Sequence, residues 1–383
     1  MEDFELLTKF RRDLHRIPEL SFDLPETIRY VRGVLDGLSC EVTTPCESCV
    51  CAFFDVDAAC GREPGGPATA VRADMDALPI TENSGVEFCS AKPGHMHACG
   101  HDGHMAMALA AACWVDEVLR GVRGGAACPL PRNVLFVFQP AEETTGGARN
   151  VCESGVFEHY HVDRIFGFHV WPDLPAGVVA TRPGALLARA SETTLTVHGT
   201  SSHIAKSADG NDALLAGAHF LTSVEELMAR LGAEEPCLLK FGHMESGTVR
   251  NAISAGSVIE GSLRVFSDEM FDRARAGVER CAREACEPYG CTFDLHFSDG
   301  YPPVVNDANL YTLAKDALGD ALGLVPEPLL IAEDFAFYQR HLPGLFMLLG
   351  TGTGIPLHSD EFVMDERVLV RGLETYRTLL KTA

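Results

Sequence analysis

The chain has 383 residues, 46% of them hydrophobic and 22% charged, which is enough apolar material for one or two full cores, with two domains expected at this length. Thirty-one basic residues against 54 acidic ones leave a net charge of −23, which argues against a basic nucleic-acid-binding surface and against adhesion to an anionic membrane. No run approaches the ~18 consecutive apolar residues of a membrane span.

The start, Glu2-Asp3-Phe4-Glu5, is acidic and lacks the layout of a signal peptide, so a cytoplasmic protein is expected. In a reducing compartment most of the 14 cysteines should be thiols or metal ligands. Phe4, Leu7, Phe10 and Leu14 recur at helical spacing until Ile17-Pro18. Pro25 opens a second helical pattern carried by Ile28, Val31, Leu35 and Leu38. Apolar strand-like runs follow at Val50 to Phe54, Thr69 to Ala73, Val134 to Phe138 and Ile165 to His169, with a long helical pattern from Gly103 to Leu119 between the second and third. That alternation predicts an α/β layered domain. Gly61 to Pro67 and Arg120 to Pro131, rich in Gly and Pro, read as surface loops.

From Leu186 to Phe297 the rhythm changes. Strands are predicted at Glu192 to His198, Leu238 to Glu245, Ser257 to Phe266 and Thr292 to Phe297, and helices at Asp212 to Leu231 and Glu269 to Glu287. The order β-α-β-β-α-β is the ferredoxin-like unit. Afterwards α/β material resumes: a helix at Ala308 to Leu322, a strand at Leu345 to Leu349 and a closing helix from Glu366 to Leu380. The simplest organisation is a discontinuous domain, 1–184 and 298–383, with an inserted smaller one at 185–297, hinged near Pro183-Gly184 and Gly300-Tyr301-Pro302.

The densest chemical signal is His95-Met96-His97-Ala98-Cys99-Gly100-His101-Asp102-Gly103-His104. Imidazole and thiolate are the preferred ligands of zinc-like ions. Cys99 and His101 are two apart, on one side of a predicted extended segment, and Asp102 is the expected cap of the helix that follows. A second signal is the strand Val134 to Gln139, which ends in Pro140 and then presents Glu142-Glu143. Functional groups gather at the carboxyl ends of strands in open α/β sheets. One such acid can ligate a metal while the other takes a proton from a water. His169 ends another strand, and His358 follows the strand at Leu345 to Leu349. With the cluster, they supply the ligands that a two-metal site needs.

His15-Arg16-Ile17-Pro18-Glu19-Leu20, Ala73-Asp74-Met75-Asp76-Ala77-Leu78-Pro79, His97 to His104, Gln139-Pro140-Ala141-Glu142-Glu143, Glu333-Asp334-Phe335 and Leu357-His358 occur in order along nearly the whole chain. The combination resembles the dinuclear-metal amidohydrolases: hippurate hydrolase, auxin–amino-acid conjugate hydrolase, N-acyl-amino-acid amidohydrolase and N-acetyldiaminopimelate deacetylase, relatives of aminoacylase and glutamate carboxypeptidase. The resemblance implies a metallopeptidase-type catalytic domain with a central mixed sheet flanked by helices, and a ferredoxin-like lid through which the chain forms a homodimer. It implies two divalent metal ions (Zn, Mn, Ni or Co), with Cys99 bridging both, His101 and His169 completing one, and Glu143 and His358 the other. Glu142 would be general base and acid, and Asp74 would orient a ligand. In the lid, Asn251 and Arg264 would grip the substrate, and His203 would reach a partner's active site to polarise the scissile carbonyl.

The implied reaction is hydrolysis of the amide bond of small N-acyl amino acids, N-acetyl or N-benzoyl, with N-acetyldiaminopimelate deacetylase or dipeptidase activity as the alternative. Thr200-Ser201-Ser202-His203, Ile204-Ala205-Lys206-Ser207, Asn211-Asp212 and Ala252-Ile253-Ser254 depart from the family's pattern where the acyl group or side chain would sit. Two rivals remain at this stage: a cysteine hydrolase with Cys99 as nucleophile, and a non-catalytic metal-binding protein. Cys46-Glu47-Ser48-Cys49 with Cys51, and with Cys40 and Cys60 in reserve, reads as spare thiols or a structural zinc site. Glu333-Asp334 reads as a site-lining pair or the acidic first turn of a helix.

Overall fold

The computed structural model describes residues 2–144 and 146–383. It divides into two compact units: residues 1–184, 305–326 and 334–383 form the first, and 185–304 with 327–333 the second. Among the described residues no helix is long and apolar enough to cross a membrane.

The first unit opens with α1 (Asp3–His15) and α2 (Pro25–Leu35), then β1 (Glu41–Thr43), β2 (Val50–Phe54), α3 (Val56–Cys60) and β3 (Ala68–Asp74). Next come α4 (His101–Arg123), β4 (Asn133–Gln139), α5 (Gly147–Glu153), α6 (Val156–His159), β5 (Val162–Trp171) and β6 (Val179–Thr181). After the second unit it resumes with α9 (Ala308–Leu318), β13 (Leu322–Leu324), β14 (Gly344–Gly350) and α10 (Val368–Leu380). Eight strands make one mixed sheet in the order β1-β2-β4-β3-β5-β14-β6-β13. Its centre, β4, β3, β5 and β14, is parallel. β3, β4 and β14 are buried along their whole length, as parallel strands covered on both faces must be. α4 is buried all round from His101 to Ala112, so its apolar residues need no stripe.

The second unit contains β7 (Gly184–Leu187) from residue 185, β8 (Arg189–His198), α7 (Ala213–Leu231), β9 (Cys237–Ser246), β10 (Gly256–Val265), α8 (Asp268–Cys286), β11 (Thr292–Phe297) and the start of β12 (Val304–Asn306). Its antiparallel sheet runs β11-β8-β10-β9, the strand order of a ferredoxin-like unit. Ser191, Thr193, Leu195 and Val197 of β8 point into the core while the residues between them are more exposed, the alternation of a sheet with one covered face. The unit runs past Phe297 because Tyr301 bridges Ala190. Gly300 makes that approach, at φ 57°, where a Cβ would stand 1.6 Å from the Ala190 carbonyl oxygen.

One helix start differs from expectation, while α2 opens at Pro25 as expected. α4 is capped at Gly100, not Asp102; Gly100 takes φ 81°, where an added Cβ would meet Val170 at 2.5 Å. The Asp102 carboxylate binds α1 instead: Oδ2 accepts from Arg11 Nε at 3.1 Å and His15 Nδ1 at 2.8 Å. Likewise α2 has no cap from Leu24; Glu19 Oε2 accepts the Glu26 and Thr27 N–H groups, each at 2.9 Å. His15 Nε2 lies 3.1 Å from Glu82 Oε1, and Glu366 pairs with Arg11 at 3.3 Å and Arg12 at 2.7 Å.

Burial pushes His15 toward the neutral form, but Asp102 and Glu82 outweigh it and raise the pKa to about 9. A histidine with a raised folded-state pKa contributes stability below its unfolded value of about 6.5 and loses it as pH rises through the folded value. Unfolding free energy should therefore fall between pH 6.5 and about 9, by an amount on the order of 3 kcal/mol. His15→Gln should be less stable at pH 6.5 and flatter across that window in denaturant titrations. Parallel curves for the two proteins would contradict a charged His15.

Candidate metal centre

The parallel strands deliver chemistry at their carboxyl ends. Asp74 closes β3, with Asp76 two residues on; Glu142 and Glu143 follow β4; His169 sits near the end of β5; His358 lies in the loop after β14. Cys99 occupies a turn rather than an extended segment, and His101 is the first residue of α4. Among the sets of three donors whose ligand atoms all lie within 4.8 Å of one another are Cys99, His101 and His169, and Cys99, Glu143 and His358. They share Cys99. Glu142 lies within the same distance of His101 and Glu143. Among the described residues no such set includes Cys40, Cys46, Cys49, Cys51 or Cys60.

His101, His104 and His169 are each held in one tautomer by their partners. His101 Nδ1 donates to the Asp76 carbonyl at 2.8 Å, so Nε2 carries the lone pair. His169 Nδ1 donates to the Val170 carbonyl at 2.6 Å, and its Nε2 lies 3.3 Å from Cys99 Sγ. His104 does not join them: its Nε2 accepts the Val170 N–H at 2.9 Å and its Nδ1 donates to Asp74 Oδ1 at 2.7 Å. Burial, the largest influence, keeps His101 and His169 neutral, with His169 pushed down to about 3. Neutral imidazoles with a fixed Nδ1–H are the ligating form.

Asp74 is fully buried. It stands 3.7 Å from His101 Nε2, beyond hydrogen-bond reach, and binds His104 and Arg72 instead. Arg72 Nη1 is 2.6 Å from Asp74, Nη2 2.7 Å from Asp334 and Nε 2.8 Å from Gln139 Oε1. Asp334 thus belongs to this buried network, and it also accepts the Ala148 N–H at 3.0 Å. Burial works against Asp74 ionisation, but His101, Arg72 and His104 hold its pKa well below the ordinary value.

The positioning of the two glutamates falls to Asp76, a residue the sequence reading gave no role. Its Oδ1 accepts the Glu142 N–H at 2.9 Å and its Oδ2 the Glu143 N–H at 3.1 Å. The turn they enter is strained: Ala141 adopts φ 57°, and the Gly146 and Gly147 N–H groups both bond to the Ala141 carbonyl at 3.1 Å. His358 adopts φ 64°. Left-handed conformations in non-glycine residues cluster at functional sites.

The donor set fits a divalent cation. His101 Nε2 and Glu143 Oε1 are buried without a hydrogen bond and face each other across 3.7 Å. Leaving two such atoms unsatisfied would be costly. Burial, then the Glu143 and Glu142 carboxylates, push the Cys99 thiol well up. Glu143 is drawn down to about 2, burial being outweighed by His358 and His101, and the same contact raises His358. A cation between these groups would stabilise thiolate and carboxylate together.

The lid candidates all lie in the second unit. His203 caps a short 3-10 helix, its Nδ1 accepting the Ala205 N–H at 3.2 Å, and it bridges Ala252. The Ile204 N–H bonds to the Asn251 carbonyl at 3.0 Å, so His203 and Asn251 share one corner of that unit. Arg264, on β10, is half-buried, and among the described residues it has no hydrogen bond or ion pair; burial lowers its pKa.

The sequence model of peptidase family M20/M25/M40 matches residues 70–382. Uncharacterised hydrolases of Staphylococcus aureus are 33% identical over 390 aligned positions, covering 99% of this chain and 98% of theirs. The crystal structure of the Bacillus subtilis YXEP protein, named a dinuclear metal binding peptidase from the M20 family, superimposes with a TM-score of 0.84 at 31% identity, over 99% of this chain and 97% of that one. Aminobenzoyl-glutamate utilization protein from Klebsiella pneumoniae shares the fold, with a TM-score of 0.61 at 20% identity.

Asp76→Asn places an amide NH₂ against one of the two glutamate N–H groups. It should lower unfolding free energy by about 1–3 kcal/mol, the cost of an orphaned buried donor. Unchanged stability in denaturant titrations would show that Asp76 does not hold the Glu142–Glu143 turn.

Proposed function

The chain belongs to peptidase family M20/M25/M40 and is a hydrolase of amide or peptide bonds; from that premise we propose that it cleaves the amide bond of small N-acyl amino acids at a site for two divalent ions. The two donor triads sharing Cys99, with Glu142 beside them, carry this reading. His101 and His169 would hold one ion, Glu143 and His358 the other, and Cys99 both. Bound divalent ions supply Lewis acidity, which makes water nucleophilic at neutral pH.

The chain's own residues do the rest. The Glu142 carboxylate takes a proton from the attacking water and later delivers it to the leaving amide nitrogen. Asp76 fixes the backbone from which Glu142 projects. In the second unit, the unpaired Arg264 suits the carboxylate of an acyl amino acid, and Asn251 and His203 would grip and polarise the scissile amide. Cys99 as a nucleophile is disfavoured: buried beside two carboxylates, its thiolate would be repelled without a cation. The homodimer is proposed through the second unit, which carries edge strands β9 and β11 and exposed Ile204, Leu214, Leu215, Met244 and Val249.

Glu142→Gln should retain metal and fold but lose roughly 10²–10⁴-fold or more in turnover of N-acetyl or N-benzoyl amino acids. Near-normal turnover would remove Glu142 from the mechanism. Cys99→Ala should lose metal as well as rate, and full two-ion occupancy by elemental analysis would show that Cys99 is no bridge. A chelator should abolish activity, and added Zn, Mn, Ni or Co should restore it; a cysteine hydrolase would ignore both.

His203→Ala should lower turnover with metal content intact. If His203 serves the partner's site, mixing inactive Glu142→Gln and His203→Ala subunits should restore part of the activity. No rescue in a mixture shown to exchange subunits would confine His203 to its own chain or to no catalytic part.

A further inference from the structure

Two half-buried thiols stand apart from the chemistry above. Cys60 is the last residue of α3, and Gly61 follows in a left-handed turn at φ 63°. Arg62 then folds back: its N–H bonds to the Asp57 carbonyl at 2.9 Å, and its Nε is 3.4 Å from Asp57 Oδ1. From there the guanidinium reaches the segment ahead of β4, with Nη1 donating to the Pro131 carbonyl at 2.6 Å and Nη2 to the Leu130 carbonyl at 2.7 Å. The same Nη2 lies 3.4 Å from Cys60 Sγ, and the Cys128 thiol donates to the same Leu130 oxygen at 3.5 Å. Both sulfurs therefore hang on one guanidinium–carbonyl pair. Burial pushes the Cys128 thiol up, and Cys60 beside it adds to that.

The frame around the pair is rigid. Asn133 Oδ1 accepts the Asp57 N–H at 3.0 Å, and its Nδ2 donates to Asp57 Oδ2 at 3.0 Å and to the Gly66 carbonyl at 3.1 Å. Among the described residues Cys60 is the only cysteine whose sulfur accepts from a guanidinium. Cys40 and Cys113 lie instead near Asp116, and Cys49 lies 3.9 Å from Cys51 in an apolar core. Positive charge at Cys60 sits where a thiolate's charge develops, and Cys128 is the neighbour that can resolve what Cys60 forms.

We propose that Cys60 and Cys128 are a dithiol–disulfide modification site that reacts with small-molecule disulfides. Cys60 thiolate attacks one sulfur of the small disulfide, whose S–S bond breaks as the new one forms. The first small thiolate leaves and is protonated. Cys128 gives its proton to water and attacks Cys60 Sγ, and the second small thiolate leaves and is protonated in turn. Two protein thiols are oxidised and one small disulfide is reduced to two thiols. The product staples the end of α3 to the segment before β4 and closes a long loop of the unfolded chain, which stabilises the fold.

The test is to incubate the full-length protein with oxidised glutathione, alkylate the remaining thiols and map peptides by mass. The expected result is a Cys60–Cys128 cross-linked peptide, lighter by two hydrogens, together with a rise of several degrees in Tm that a reductant reverses. Cys128→Ser should instead accumulate glutathione on Cys60. Arg62→Gln should slow the reaction several-fold at equal glutathione concentration. Recovery of Cys60 and Cys128 as free, alkylated thiols in the wild-type protein would overturn the proposal. So would a disulfide that joins other cysteines, or glutathione that remains on Cys60 while Cys128 stays free. The wild-type peptide map decides even where a variant folds poorly.

Discussion

Everything at the centre of the first unit follows from one electrostatic constraint: acidic side chains buried at the carboxyl ends of four parallel strands, where burial pushes Asp76 and Cys99 toward their neutral forms. Asp74, Asp76, Glu142 and Asp334 are all buried there, together with the Cys99 thiol. Ionised groups tolerate burial only when paired and hydrogen-bonded. On the sheet side the balance is met internally, because Arg72 binds Asp74 and Asp334 directly and Gln139 Oε1 completes its fork. On the opposite side Asp76 accepts the Glu142 and Glu143 N–H groups, and the exposed His358 faces Glu143. Cys99, His101, Glu143, His169 and His358 bring their donor atoms together on that side, which suits cations.

Fixed donors need fixed backbone, and the chain supplies it through long-range contacts. Arg11 and His15 of α1 bind Asp102 beside His101, so the helix that presents His101 is held by a different part of the chain. His104 ties Asp74 on β3 to the Val170 N–H next to His169 on β5. Ala141 and His358 accept left-handed strain on either side of Glu143. Strain of this kind persists only where surrounding contacts over-determine the geometry. A site whose ligands are placed before the ion arrives loses less freedom on binding it.

Sequence pattern carried much of this and missed an identifiable part. The ferredoxin-like strand order was legible because each of its elements announces itself by local periodicity: alternation in Leu195 and Val197, a helical run through Ala213–Leu231. The His and Cys cluster was legible because its residues are adjacent in the chain. The Arg72–Asp334 pair, 262 residues apart, leaves no local trace. Asp76 was overlooked for a related reason: its partners are backbone amides, which no residue pattern encodes. Asp102 looked like a cap because caps are local, yet its partners are distant, and Gly100 took the capping place by its backbone freedom. The short elements α3, α5 and α6 are too brief to show a period.

Cysteine shows most clearly why residue type alone underdetermines chemistry. Cys99, Cys40 and Cys60 are equivalent letters in the sequence, but their neighbours differ. Carboxylates around Cys99 oppose a free thiolate and favour a cation that would neutralise both. Near Asp116, the Cys40 thiol is pushed up to about 11, burial first, and stays protonated at neutral pH. Beside Arg62, the Cys60 sulfur meets positive charge instead. The thiols thus differ in their neighbours: carboxylates surround Cys99 and Cys40, and a guanidinium stands beside Cys60. Glu143 and Asp116 reach Cys99 and Cys40 through tertiary folding, whereas Arg62 stands two residues from Cys60 and is aimed by its bonds to the Leu130 and Pro131 carbonyls.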